Sequence, residues 1–360
     1  MVDRASAVTD STCSRARGVP GGVFIAWRRL SRRTLLLSGE LGLETFFVPG
    51  SPPYLRAAWT TWRYLVTRKP PVVFVQLPQG PLLAEVVEVS RRAGLKVVAD
   101  VHTGFIYPTS LKGYALNRPF HTYLRRVDLV LAHNVLQADL VKRRAGVPSE
   151  RVVLVYDPVP RIPEGTRSPR LDDVDLGRSV VLPASWAVDE PLDYITREFL
   201  ESEVSRDHVL VITGSWRRNK KLYRKLREVV RKGRAEDRVI LTGYLPDEEY
   251  YHLIRHCKAI VAVSSREYTL PHVLWEAVAA ERLFITLRTE TLLAEVGRDY
   301  PCSFTMREGS LREVLEYCLD KEYRKAFDLA KVKAGELKLK SKRTLESLVE
   351  KLSEILQPRT

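Results

Sequence analysis

Val261-Ala262-Val263-Ser264-Ser265-Arg266-Glu267-Tyr268-Thr269-Leu270-Pro271-His272-Val273-Leu274-Trp275-Glu276 is the stretch that decides how the chain is read. An apolar strand over 259–263 stops at two serines, and a short polar loop then carries Glu267. A helix opens near Pro271 and brings Glu276 in after about a turn and a half. Strand, turn and helix N-terminus together gather oriented amides and carboxylates at one place, an arrangement suited to a charged small molecule.

Outward from this stretch, short apolar runs alternate with amphipathic ones. Strands are predicted over 22–26, 44–48, 71–76, 95–101, 129–133 and 152–156, with helices between them. Residues 157–170, rich in Pro, Gly and charge, mark a boundary. The alternation then restarts, with strands over 180–183, 208–213, 239–242, 259–263, 283–287 and 303–306. This is the pattern of an α/β protein with two parallel, Rossmann-like domains facing each other across a cleft. The expected division is a flexible arm over 1–22, a first domain over 23–165, a second over 166–335 and a C-terminal helix over 336–360. No Gly-x-Gly-x-x-Gly follows any strand, which argues against a dehydrogenase.

With 360 residues, 45% apolar and 28% charged, the chain is long enough for two cores and too apolar to be disordered. It has no apolar run of the length a spanning helix needs, and residues 1–20 lack the apolar centre of a signal peptide. The four cysteines lie far apart with no Cys-x-x-Cys, so neither a zinc site nor a disulfide framework is expected and a reducing, cytoplasmic setting is favoured. Charge is uneven: residues 1–170 carry 25 Lys/Arg against 12 Asp/Glu, whereas 171–360 carry 33 against 32. Cationic excess on one domain suits an anionic partner, either a membrane surface or a phosphorylated acceptor; scattered, solvated helix faces are the plainer explanation. A nucleic-acid-binding protein is the rival reading, but the sequence has no helix-turn-helix, finger or RRM signature.

Residues 54–68 form an amphipathic helix with Leu55, Ala58, Trp59, Trp62, Leu65 and Val66 on one face. That face is expected to pack on its own sheet; an interfacial membrane helix is the alternative. The cationic run 27–33 and the sequence Asp100-Val101-His102-Thr103-Gly104 both end strands, where ligands of such folds bind.

Taken together, Trp27 to Arg33, Phe74 to Pro78, Asp100 to Gly104, His133-Asn134, Asp157-Pro158, Pro183 to Pro191, Thr242 to Leu245, and Arg266 to Thr269 with Glu276-Ala277 resemble the landmarks of GT-B glycosyltransferases of the retaining family-4 type. The resemblance covers about residues 23–320. One spacing departs from it: eight residues separate Glu267 from Glu276, where the family pattern has seven.

The resemblance implies transfer of a sugar from a UDP- or GDP-linked donor to a glycan or polyprenyl-phosphate-linked acceptor. Catalytic roles then fall to His102 and Glu267, and donor binding to Ser185, Gly214, Arg217, Lys221, Thr269, His272 and Glu276. Acceptor binding falls to Arg32, Arg33 and Gly104. No metal and no cofactor are expected, and no nucleic acid partner. The basic first domain would hold the enzyme peripherally on the inner face of the cell membrane. A nucleotide-sugar epimerase of the same fold is the alternative activity.

Overall fold

In a computed structural model, the described residues are 18–357 except Thr109. Most of the expected flexible arm, residues 1–17, lies outside them. Each of the twelve expected strands is present, with ends shifted by a residue or two. The first sheet holds β1 (Val23–Trp27), β2 (Glu44–Val48), β3 (Val72–Gln76), β4 (Lys96–Asp100), β5 (Leu129–Ala132) and β6 (Val152–Leu154). Its order is β2-β1-β3-β4-β5-β6 and every pairing is parallel. The helices α1 (Arg32–Leu41), α2 (Leu55–Arg68) and α3 (Gly80–Ala93) make the first crossovers.

The second sheet holds β7 (Ser179–Leu182), β8 (Val209–Thr213), β9 (Val239–Gly243), β10 (Ala259–Ala262), β11 (Leu283–Leu287) and β12 (Ser303–Phe304). Its order, β12-β11-β10-β7-β8-β9, is that of a doubly wound nucleotide-binding sheet.

Because successive side chains on a strand point to opposite faces, the first sheet feeds two apolar layers. Val23, Ile25, Val73 and Val75 pack under α2 and α3, while Phe24, Phe74 and Val98 pack on the other side. Leu348 and Leu352 join that second layer. They belong to one helix, Tyr323–Leu356, whose Ala326, Ala330, Ala334 and Leu337 are buried in the core of the second domain. This helix runs through the 335/336 boundary and straps the two domains together. Its basic stretch 331–343 is therefore solvated on one side only.

Two further expectations are corrected. Cys302 and Cys318 form a disulfide, their Cα atoms 6.1 Å apart. They lie 16 residues apart in sequence, and only the return of the chain after β12 brings them together. Most of the α2 face expected in the core is turned outward: of that face only Leu65 is buried, beside Ala57 and Thr61. Leu55 is 74% exposed, Trp59 57% and Trp62 49%. The inward register is set by the Trp27 indole, which donates to Thr61 Oγ1 at 2.9 Å.

Candidate active site

Strand order in the second sheet reverses between β7 and β10, the place where a crevice opens outside the carboxyl ends. A cavity of about 500 Å³ lies there. It is bounded by the loops after β7, β8, β9 and β10 and by the first turn of the helix His272–Ala280. Arg32, from the first turn of α1 in the other domain, closes it.

Glu276 is 3% exposed and accepts a hydrogen bond from the Tyr250 hydroxyl. Burial and the Glu276 charge push the Tyr250 phenol far above its ordinary range, so it remains a donor. His272, one turn before Glu276, places Nε2 3.9 Å from Glu276 Oε1. That Nε2 is buried without a hydrogen-bond partner, while Nδ1 meets Asp157 Oδ2 at 3.2 Å. Arg32 donates to the Tyr251 hydroxyl and, at 3.0 Å, to Asp247 Oδ1. Burial works against its charge, but Tyr251, Glu276 and Asp247 more than offset this and raise its pKa. Asp247 is the first residue of the helix Asp247–His256, whose cap position is Pro246, and its carboxylate pairs with Arg32.

The rim is held by its own hydrogen bonds. Glu190 accepts from Ser185 N and Oγ at 3.1 and 2.7 Å and from Ala187 N at 3.1 Å. Burial raises its pKa despite these donors. Ser264 Oγ donates to Asp189 Oδ2 at 2.7 Å, tying the β10 loop to the β7 loop. Gly214 has φ +89°, and a Cβ there would sit 1.8 Å from the Ala184 carbonyl oxygen. Only glycine lets the β8 loop approach β7 so closely.

Across the cleft, the loop 266–269 is fastened to the first domain. The Tyr268 carbonyl accepts from Thr103 Oγ1 at 2.7 Å and from Asn134 Nδ2 at 3.1 Å, and Thr269 Oγ1 reaches Thr103 Oγ1 at 3.1 Å. Tyr268, the residue that lengthens the spacing between the two glutamates, adopts a left-handed conformation with φ 63°. That turn sends the Glu267 carboxylate away from the cavity. It caps the helix Glu290–Val296, accepting from Glu290 N, Thr291 N and Thr291 Oγ1.

Behind the cleft, Arg33 is 4% exposed and joins two carboxylates: Nε meets Asp100 Oδ1 at 3.0 Å and one terminal nitrogen meets Asp157 Oδ1 at 2.7 Å. Burial favours the neutral carboxyls, yet Arg33 and the neighbouring histidines hold both well below the usual carboxylate range. Burial and the Arg33 charge push His133 down to about 4, so it is a neutral imidazole at pH 7. Asp100, His102 and His133 could gather a metal ion, their ligand atoms lying within 4.8 Å of one another. The Arg33 guanidinium already occupies Asp100, the only anionic ligand of that trio.

Of the residues singled out from sequence, the structure brings Ser185, Gly214, Thr269, His272, Glu276 and Arg32 to one cavity. His102 stands behind it, Nε2 3.3 Å from Asp100 Oδ2. Gly104 lies in the short turn that follows. Arg217 and Lys221 are exposed and do not line the cavity; their neighbour Arg218 reaches Ser185 Oγ at 3.3 Å. Tyr250 and Tyr251 were not foreseen, because tyrosines in an amphipathic helix give no signal of their own.

Two doubly wound domains facing across a cleft, with a helix N-terminus and a buried carboxylate on the second, make up the GT-B fold. Residues 179–318 match the family model described as Glycosyl transferases group 1. That match covers most of the second domain, about two fifths of the chain. No curated protein matches the chain by sequence. Among solved structures, Anabaena HepE in complex with UDP-glucose is similar at 12% identity, TM-score 0.71, over 92% of this chain and 99% of that one. Sucrose-phosphate synthase from Thermosynechococcus elongatus is similar at 10% identity and TM-score 0.67, over 93% and 97%. The lipopolysaccharide outer core galactosyltransferase WaaB gives 12% and 0.57, over 88% and 98%. At such identities the likeness is one of fold.

Proposed function

We propose that the enzyme holds a UDP- or GDP-sugar in the cavity of the second domain and transfers the sugar to a glycan or polyprenyl-phosphate-linked acceptor presented by the first, without a metal ion. The supporting observation is Glu276, a buried carboxylate beside the amides that open the helix His272–Ala280. Glu276 accepts hydrogen bonds from the vicinal hydroxyls of the ribose in place of Tyr250. The amides of 272–273 meet the diphosphate, a contact worth up to about 2 kcal/mol in partly buried geometry. Arg32 and Arg218 supply the positive charge that the leaving diphosphate needs. His102 polarises the acceptor hydroxyl. Glu267, engaged by the helix at 290, positions the loop that closes over the donor.

No helix among the described residues is long and apolar enough to cross a membrane. The outward Trp59 and Trp62 face and the +13 of residues 1–170 together suit docking on an anionic leaflet. Incubation with UDP- and GDP-sugars in the absence of acceptor tests the donor assignment. Slow release of free nucleotide from one donor class is expected; an epimerised sugar without nucleotide release would overturn it.

A further inference from the structure

The first domain has a second cavity to which the donor and acceptor assignments give no role. It measures about 400 Å³ and shares no lining residue with the cleft cavity. It opens at the carboxyl edge of the first sheet, between Trp27 at the end of β1 and the start of α3 after β3, where the strand order reverses. Tyr54, Trp59 and Trp62 complete aromatic walls, and Glu85 of α3 lies among them.

Both Glu85 carboxylate oxygens are closed to solvent and, among the described residues, make no hydrogen bond of normal geometry. Among the described residues, no lysine or arginine lines the cavity. Arg63 is drawn over the Trp59 ring, 5.4 Å from its centroid, and Arg126 is taken by Glu88 at 2.6 Å. His121, on the turn Arg118–Arg126 that packs on α3, is bonded to the Phe105 carbonyl. Tyr54 is the other ionisable group on the walls. Burial pushes Glu85 up to about 8, against a weaker pull from the Trp62 backbone.

A carboxyl shut among aromatic faces lacks one chemical complement, a cation small enough to enter. We propose that this pocket binds an organic ammonium group, carried by an amino sugar or by a lipid head-group amine, with Glu85 as its counter-ion. An apolar chain would fill the same walls but leave Glu85 unpaired. The assignment does not depend on the donor site.

Calorimetric titration of the full chain with ethanolamine, against ethylene glycol as its neutral counterpart, tests this at pH 6.5 and 8.5. A carboxyl titrating near 8 is about 3% ionised at the lower pH and about 75% at the higher, so ethanolamine should bind about 20-fold more tightly at pH 8.5. Binding at pH 7 should release a proton, read by comparing buffers of different ionisation enthalpy. Glucosamine against glucose forms the second arm; the tighter of the two amines names the source. Glu85→Gln keeps the shape of the protonated side chain and should abolish the preference for amines. If that variant fails to fold, proton release by the unaltered protein decides. Equal binding of amines and neutral counterparts, affinity independent of pH, unchanged binding by Glu85→Gln, or saturable binding of hexanol with none of the amines would overturn the proposal.

Discussion

Arg33→Met tests whether the pair of carboxylates behind the cleft is held together by one guanidinium. Methionine keeps the apolar stem and removes the charge that joins Asp100 at 3.0 Å to Asp157 at 2.7 Å. Removing one partner of a buried ion pair costs about 3–5 kcal/mol, because the charge left behind has no compensation. At about 2–4 °C per kcal/mol for domains of this size, the melting temperature should fall by about 6–20 °C. The pH dependence carries the sharper test. In the wild type both carboxylates have folded pKa values below the unfolded value, so they stabilise the fold above about pH 4 and this is lost as pH falls through the folded values. Without Arg33 only the histidine contacts oppose burial, so the folded values rise and the variant gains less stability as pH rises. The gap between the proteins should therefore be widest near pH 7 and narrow toward pH 4. His133, held near 4 by burial and Arg33, should titrate higher in the variant, an upward move visible by NMR. Urea unfolding at several pH values measures the gap. A loss below about 1 kcal/mol, or a gap that does not change with pH, would refute the reasoning.

Three further outcomes follow from the same geometry. Gly214→Ala should destabilise the second domain and weaken nucleoside diphosphate binding together, since the new Cβ meets the Ala184 carbonyl at 1.8 Å; thermal unfolding with and without UDP reads both. Replacing Trp59 and Trp62 with serine should leave stability within about 0.5 kcal/mol, as expected of exposed positions, while reducing flotation with anionic liposomes. The unaltered protein should float with anionic liposomes and much less with neutral ones; equal recovery from both would remove the membrane proposal.

The fold was legible because its strands are buried on both faces and read as short apolar runs, as in Val72 to Val75. The half-site around Glu276 was legible because a helix N-terminus after a strand announces itself locally. What stayed hidden depends on contacts far apart in sequence. Asp157 looked like part of a linker, but it is the acceptor that joins Arg33 to His272, 124 residues and 115 residues away. The wheel of α2 showed an apolar stripe without saying which way it faces; with Thr61 bonded to the Trp27 indole, most of that stripe points outward and only Leu65 is buried. Glu267 had the chemistry of a site residue, and the left-handed Tyr268 beside it redirected its carboxylate to a helix cap.

The central claim is that a nucleoside diphosphate lies against Glu276 in the cavity of the second domain. Calorimetric dissociation constants for UDP and GDP, measured on the wild type and on Glu276→Gln, test it most directly. One nucleotide should bind the wild type, and the variant should weaken it by about 10- to 150-fold, the loss expected for a hydrogen bond to a charged acceptor. Equal affinity in the two proteins would contradict the account.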